Sequence, residues 1–446
     1  MKKIILLPAN TDFNRGDQAL VWESVRVIQD VFKDEAYDIK LVLSSKREIE
    51  MNGIAQTQKK LNLGYIDSIL KHPNRFFIKH AEQKVNYGKF GYFLFGIVAI
   101  FDFIKSLFLL VPVRVINQVG LLFYSDEAKK SFNAIKEADS VFVKGGGFLH
   151  SYGSPSDFYR LYYIVYLVLL SIRFKKKIFI FPNSIGPLKN KLASSLVKYT
   201  LKRCRFITVR ESISYNFVKE KLGLPVGQFM DFGYHLKENK AFDPVQYMRK
   251  KVATTKPIVG ITLRPDRTLT EGGKQNKYLR YIDSFVKLVK YLNNEGYYVC
   301  FFAHTLGPSA NENDELAIRD VISSLDAKAE YSYIVDKTLS CEETMMLYSQ
   351  CKFFIGTRFH SVIFAQNMGI PTIAISYGGN KGDGIMGDLK LNDFVIKMED
   401  VSGDKIISIF NNLVSSQEKY REILRNHRSE VEKNRNQLIT EIKKYV

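Results

Sequence analysis

The chain has 446 residues, 46% of them hydrophobic and 25% charged, with 65 Lys and Arg against 46 Asp and Glu and a formal net charge of +19. That length exceeds one ordinary domain, and the composition excludes a disordered or fibrous chain. The basic excess points to an anionic ligand or membrane; nucleic acid is set aside, because no nucleic-acid motif is present and the charge is spread over helices.

The first run, Met1-Lys2-Lys3-Ile4-Ile5-Leu6-Leu7-Pro8, is too short for a signal peptide and lacks a small-residue cleavage site. It reads as a buried strand, Ile4–Pro8, and residues 18–32 read as a helix. Ile39–Leu43 is the next strand. Residues 52–125 read as an irregular, aromatic and basic insertion. Ser140–Lys144 is a strand that runs into three glycines, and residues 158–174 are helical. Strands Lys177–Phe181 and Phe206–Arg210 are each followed by a helix, over 192–203 and 212–222. The pattern restarts with strands at 257–263, 297–303, 333–335, 352–355 and 372–376, separated by helices at 278–295, 312–325, 341–349 and 360–368. A charged amphipathic helix closes the chain over 417–445. Strand and helix in alternation imply parallel sheets covered on both faces. The restart near residues 238–243 implies two doubly wound α/β domains: 1–240, carrying the insertion, and 241–415, with 416–446 as a terminal helix.

Two stretches are markedly apolar. Residues 92–123 are interrupted by Asp102, Lys105 and Arg114, and residues 162–172 are short for a bilayer span. Both read as core helices rather than membrane spans. An amphipathic element at a membrane face is the alternative, since aromatic residues and flanking Lys and Arg suit one. Cys204, Cys300, Cys341 and Cys351 form no CxxC pair, so reduced thiols are expected rather than disulfides or a zinc site.

Ligands of doubly wound sheets bind beyond the carboxyl ends of the strands, so the loops there carry the candidate chemistry. After the first strand, Asn10 to Asp17 offers Gly16 for close backbone approach and Asp17 as a helix cap or substrate contact. Gly145-Gly146-Gly147 follows the strand at 140–144; it is either a tight turn or a set of backbone N–H donors, and no GK[ST] follows it. Asn183-Ser184-Ile185-Gly186-Pro187 ends a strand that can line the same site. Arg210-Glu211-Ser212 places an arginine at a strand end, suited to carboxylate or phosphate unless an acid pairs with it. Gly356-Thr357-Arg358-Phe359-His360 runs from strand into helix and sets Arg358 and His360 at a helix N-terminus, where anions are favoured. The same dipole disfavours a protonated His360 until a bound dianion reverses the field. Lys381 follows in the glycine-rich loop 378–382. Arg264 and His304 end two strands of the second domain, and Asp231 lies near the interdomain connection.

These pieces resemble the polysaccharide pyruvyl transferase family. Gly16-Asp17-Gln18-Ala19-Leu20, Gly145-Gly146-Gly147, Ile185-Gly186-Pro187, Val209-Arg210-Glu211-Ser212, Asp231, Arg358-Phe359-His360-Ser361 and Gly369-Ile370-Pro371 through Tyr377 to Lys381 occur in the family's order over residues 10–390. The insertion at 52–125 and Lys144 before the glycines depart from the family pattern. The resemblance implies two Rossmann-like domains facing a cleft (GT-B-like), with the acceptor on the first and phosphoenolpyruvate on the second. It further implies transfer of pyruvate to two hydroxyls of a sugar as a cyclic ketal, with release of phosphate. No metal or cofactor is expected beyond phosphoenolpyruvate as co-substrate. Arg210, Arg358, Lys381 and Arg264 are the expected phosphoenolpyruvate cations, and His360 the acid. Asp231, Asp17 and Glu211 compete as base, and Gly145, Gly146, Gly147, Asn183, Glu211 and His304 are assigned to the acceptor side. A nucleotide-sugar glycosyltransferase of the same shape and a non-catalytic, membrane-associated scaffold are the competing readings. The expected partners are phosphoenolpyruvate, a free or lipid-linked glycan and an anionic membrane surface, with a cytoplasmic location, peripheral at the inner membrane face.

Overall fold

The β-branched and aromatic runs of the sequence are strands, and nearly all of them are central. The computed structural model describes residues 1–9, 11–43, 53–71, 88–154, 156–265, 275–307, 312–378 and 380–446. The first sheet contains β1 (Lys2–Leu7), β2 (Tyr37–Leu43), β3 (Gly64–Asp67), β4 (Ser140–Val143), β5 (Gly146–Ser151), β6 (Lys177–Leu188), β7 (Phe206–Val209) and β8 (Gly227–Gln228). Its order is β3-β2-β1-β4-β6-β7-β8, with β5 beside β6. The second contains β9 (Ile258–Thr262), β10 (Tyr298–Phe302), β11 (Tyr331–Ile334), β12 (Phe353–Gly356), β13 (Thr372–Ser376) and β14 (Val395–Lys397), in the order β11-β10-β9-β12-β13-β14. Every strand pair is parallel, as β1 with β4 and β9 with β12. All four residues of β4 and of β12 are buried, which is why these strands read as continuous apolar runs rather than alternating ones.

The helices, in chain order, are α1 (Arg15–Val31), α2 (Ala55–Leu61), α3 (Gly88–Leu110), α4 (Arg114–Leu121), α5 (Asp126–Glu137), α6 (Asp157–Arg173), α7 (Lys191–Leu201), α8 (Ser212–Asn216), α9 (Pro244–Lys251), α10 (Gln275–Asn294), α11 (Asp314–Ile322), α12 (Cys341–Tyr348), α13 (Phe359–Asn367), α14 (Lys381–Asp388), α15 (Gly403–Ser415) and α16 (Gln417–Lys443). The fold class is therefore α/β with two doubly wound parallel sheets. In each sheet the strand order reverses between its first and fourth strands, β1/β4 and β9/β12, which is the topological position where such folds bind ligands.

The chain divides elsewhere than at residue 240. One unit comprises residues 1–11, 20–232 and 434–446, the other 12–19 and 233–433. Residues 12–19 belong to the second unit because they pair with its β10 loop. Asn14 and Thr305 form an antiparallel bridge, Leu306 N donates to Phe13 O at 2.8 Å, and Arg15 N donates to His304 O at 3.2 Å. The terminal helix is not a separate element either. Tyr420 and Leu424 of α16 are part of the second unit's core. Its last residues join the first unit, where Asn434 Oδ1 accepts from Met230 N at 2.9 Å and Arg435 pairs with Asp30 at 2.5 Å.

The span 52–125 is regular where described. β3 pairs with β2 and so extends the first sheet, and α3 and α4 follow. Core burial holds for residues 162–172, since Tyr162, Val165, Tyr166 and Leu170 of α6 are buried. It fails for residues 92–123. Over Phe93–Leu110 the mean hydropathy is 2.2 and only 22% of the stretch is buried. By length and composition alone that helix is long and apolar enough to cross a membrane.

Candidate active site

The second unit builds a cationic site at the β9/β12 reversal. Gly356 ends β12 because a Cβ there would stand 2.5 Å from Val362 Cγ2 and 2.9 Å from Ser361 Oγ; only glycine lets the strand turn straight into α13. Thr357 Oγ1 donates to Thr262 O at 2.9 Å. Ser361 Oγ donates to Arg358 O at 2.6 Å and lies 2.7 Å from Thr262 Oγ1. These bonds fix the end of β12 to the end of β9. Arg358, immediately before α13, then turns inward. Its Nε donates to Asp314 Oδ1 at 2.8 Å, and its Nη2 lies 2.7 Å from the same oxygen. Asp314 Oδ2 accepts from the backbone N–H groups of His304 and Thr305 at 3.1 and 2.8 Å. Burial pushes the Asp314 carboxyl up, opposed by Arg358 and the Thr305 N–H. Burial likewise works against the Arg358 cation, but Asp314 and Tyr377 raise it above its ordinary value, so it stays charged.

Two more cations meet at Tyr377, just past the end of β13. The Arg264 guanidinium stacks 3.8 Å from the ring centroid, and Lys381 Nζ lies 5.6 Å from it. Burial pushes the phenol up, but Lys381, Arg264 and Arg358 together pull it down to about 8. A neutral ring thus registers the positive potential of the site. Lys381 was expected in a loop; it is instead the first residue of α14. Gly379, in the same expected loop, lies outside the described residues, as does Asn10.

His360 is in the first turn of α13, and Gly16 lies against it. A Cβ on Gly16 would stand 2.2 Å from His360 Nδ1, so this close approach requires glycine. Asp17 is not the cap of α1. Asn14 Oδ1 takes that role, accepting from Gly16 N at 3.1 Å and Asp17 N at 3.2 Å, and Asp17 sits in the helix's first turn. His304 is buried with Nδ1 3.0 Å from the Tyr348 hydroxyl. Burial, and then the charges of His360, Arg358, Arg15 and Lys381, hold its pKa well below the usual value, so it is neutral. Arg15, Asp314 and Tyr377 were missed as site residues. Arg15 is buried, and its guanidinium donates to the carbonyls of Asp12 (2.7 Å), Asp336 (3.2 Å) and Lys337 (3.1 Å). Tyr377 lies inside the motif piece that runs to Lys381, without a role assigned to it there; nothing in the sequence marks Asp314.

The first unit holds the remaining candidates in a different environment. Arg210, directly after β7, is buried. Its Nη1 donates to Asp231 Oδ2 at 2.5 Å and its Nε to Ser184 Oγ at 2.8 Å. Glu211 Oε2 lies 3.8 Å from Arg210 Nε and accepts from Ser184 Oγ at 3.0 Å; Ser214 also donates to Glu211. Burial pushes the Glu211 carboxyl up to about 7 against the opposing pull of Arg210. The glycines are spacers for close packing. A Cβ on Gly145 would stand 2.8 Å from Pro182 O, and one on Gly147 2.9 Å from Arg210 Nη2. Gly146 pairs with Asn183, whose Nδ2 donates to Lys144 O at 2.9 Å. Among the described residues, no group of three His, Cys, Asp or Glu could hold a metal ion.

The profile described as Polysaccharide pyruvyl transferase matches residues 14–379. Amylovoran biosynthesis protein AmsJ of Erwinia amylovora is 24% identical over 295 residues, covering 64% of this chain and 67% of that protein. Among solved structures, HepE of Anabaena in complex with UDP-glucose has a TM-score of 0.56 at 11% identity, covering all of both chains. A putative UDP-N-acetylglucosamine 2-epimerase of Listeria monocytogenes has a TM-score of 0.54 at 9% identity, covering 95% of this chain and 91% of that one. At such identities these likenesses show the fold, the GT-B-like class expected from the sequence.

Proposed function

Because the chain belongs to the polysaccharide pyruvyl transferase family, we propose that it moves pyruvate from phosphoenolpyruvate onto two hydroxyls of a sugar in an exopolysaccharide or its lipid-linked precursor, closing a cyclic ketal and releasing phosphate. The observation that carries the donor assignment is the convergence of Arg264, Lys381 and Arg358 on Tyr377, strong enough to pull its phenol to about 8. A trianionic donor needs several cations, and Arg358 is already half-committed to Asp314. Arg264 and Lys381 therefore supply the remaining charge, with the phosphate at the N-terminus of α13.

The bound phosphate favours the protonated form of His360, which protonates C3 of the enol. The π electrons form the new C–H bond and leave C2 electron-poor. One sugar hydroxyl bonds to C2 and its proton passes to the base. The C2–O bond to phosphate then breaks, with the electron pair leaving on phosphate. The second hydroxyl closes the ketal, so one hydroxyl proton ends on the new methyl group and the other on phosphate. Asp17 is the base supported by position, one residue from the Gly16 that packs on His360. Asp231 is committed to Arg210, and Glu211 to two serine hydroxyls and the same arginine.

The test is incubation with phosphoenolpyruvate and a panel of lipid-linked sugars, with products weighed by mass spectrometry. A mass gain equal to one pyruvic acid less one water, matched by released phosphate, is expected. Transfer of glucose from UDP-glucose without use of phosphoenolpyruvate would replace this reading with a glycosyltransferase. No turnover of either donor would favour a non-catalytic scaffold.

A further inference from the structure

The pair α3–α4 is amphipathic in the inverted sense. Every exposed side chain described on α3 is apolar: Phe90, Phe93, Ile97, Ile100, Phe101, Ile104, Leu107 and Phe108 form one helical stripe. The described polar residues of the same helix, Asp102, Lys105 and Ser106, face the protein. Asp102 is buried and pairs with Lys105 at 3.5 Å, and Lys105 sits 4.3 Å over the Tyr124 ring. Ser106 Oγ lies 2.7 Å from the Tyr162 hydroxyl, and Tyr166 donates to Ser106 O at 3.1 Å. The pair is firmly built: Asn117 Nδ2 donates to Phe108 O and Val111 O, both at 2.8 Å, and a Cβ on Gly120 would stand 2.7 Å from Phe108 Cβ. The apolar stripe continues onto α4 through Val115 and Val119, then to Leu122 and Phe123.

We propose that this face docks the protein on an anionic lipid bilayer, with the α3 stripe sunk among the upper acyl chains of one leaflet. Because the inner face of α3 is bonded to α6, the helix lies along the surface rather than across it. Charge identifies the occupant. Between residues 71 and 114 the chain carries seven Lys and Arg against two acids, and the whole chain is at +19. Arg114 is exposed where the stripe passes from α3 to α4; a second copy of a chain at +19 seated on this face would bring like charge together, whereas anionic headgroups complement it. The surface stands whichever donor the active site takes, so its failure and the failure of the pyruvyl transfer reading are separable.

Flotation of the full chain with vesicles tests it, comparing phosphatidylglycerol/phosphatidylethanolamine with phosphatidylcholine alone at low salt. Wild type should float with the anionic vesicles and less with the neutral ones. The triple variant Ile97→Glu/Ile100→Glu/Ile104→Glu should lose at least about tenfold in partitioning, while Leu279→Glu, at an exposed apolar site on α10, floats as wild type. The sole native tryptophan, Trp22, is buried, so Ile100→Trp should become the one fluorophore quenched by lipids brominated on their acyl chains. Wild type remaining in the load fraction would overturn the proposal. So would unquenched Ile100→Trp, or a lipid-free dimer abolished by the triple variant.

Discussion

Arg210 in the first unit and Arg358 in the second both stand just beyond the end of a buried parallel strand, and both bond a buried carboxylate. Arg210 has Asp231 at 2.5 Å and Glu211 at 3.8 Å, with Ser184 filling a third direction. Acid outnumbers cation there, and one acid, Glu211, is driven toward neutrality by its burial and, to a lesser degree, by Asp231. Around Tyr377 the ratio is reversed. Lys381, Arg264 and Arg358 pull its phenol down, and Asp314 is the opposing acid. Residue type and position at the strand end are therefore poor guides to role. On the proposed reading, the local balance of charge separates an arginine that holds the fold from one that takes an anion.

The largest effect is expected at His360. His360→Ala should lower phosphate release from phosphoenolpyruvate by about 10²–10⁴-fold with an unchanged melting temperature; near-wild-type release would remove the acid role and leave the cation cluster without a partner in chemistry. Next comes the first unit. Asp231→Ala strands a buried guanidinium and should cost about 3–5 kcal/mol of stability, read as a fall in urea midpoint. Turnover per folded molecule should survive, and its abolition would show that the two clusters share one catalytic role. Smaller is Glu211→Gln. The folded pKa of Glu211 is raised to about 7, so its contribution is fully present below about 4.5 and is lost as pH rises through 7. Wild type should lose on the order of 2 kcal/mol between pH 5 and 8, and the glutamine variant should be flat across that window. A wild type equally stable at both pH values would contradict the raised pKa of this carboxyl.

Much of this was legible in the sequence because buried parallel strands announce themselves as unbroken apolar runs: β4 and β12 are buried at every position. Short edge strands such as β3 and β8 were missed, since two to four residues give no period to read. Arg358, His360, Lys381 and Gly16 were legible as strand-end residues. Their joining in one unit was not, because it depends on residues 12–19 pairing with the loop after β10, a contact across nearly three hundred positions of chain. Asp314 was invisible for the same reason: its partner Arg358 is 44 residues away. The apolar span was misjudged because a sequence shows that Asp102 and Lys105 interrupt it, not that both turn inward and leave the apolar stripe outside.

The central claim is that the field around Tyr377 exists to hold the donor's phosphate and carboxylate. Ultraviolet titration of the phenol, with Tyr377→Phe as the blank, reads that field directly. The free protein should show one tyrosine ionising near pH 8, and saturating phosphoenolpyruvate should neutralise the surrounding cations and raise that inflection by about one pH unit or more. An inflection that does not move when phosphoenolpyruvate is added would contradict the account.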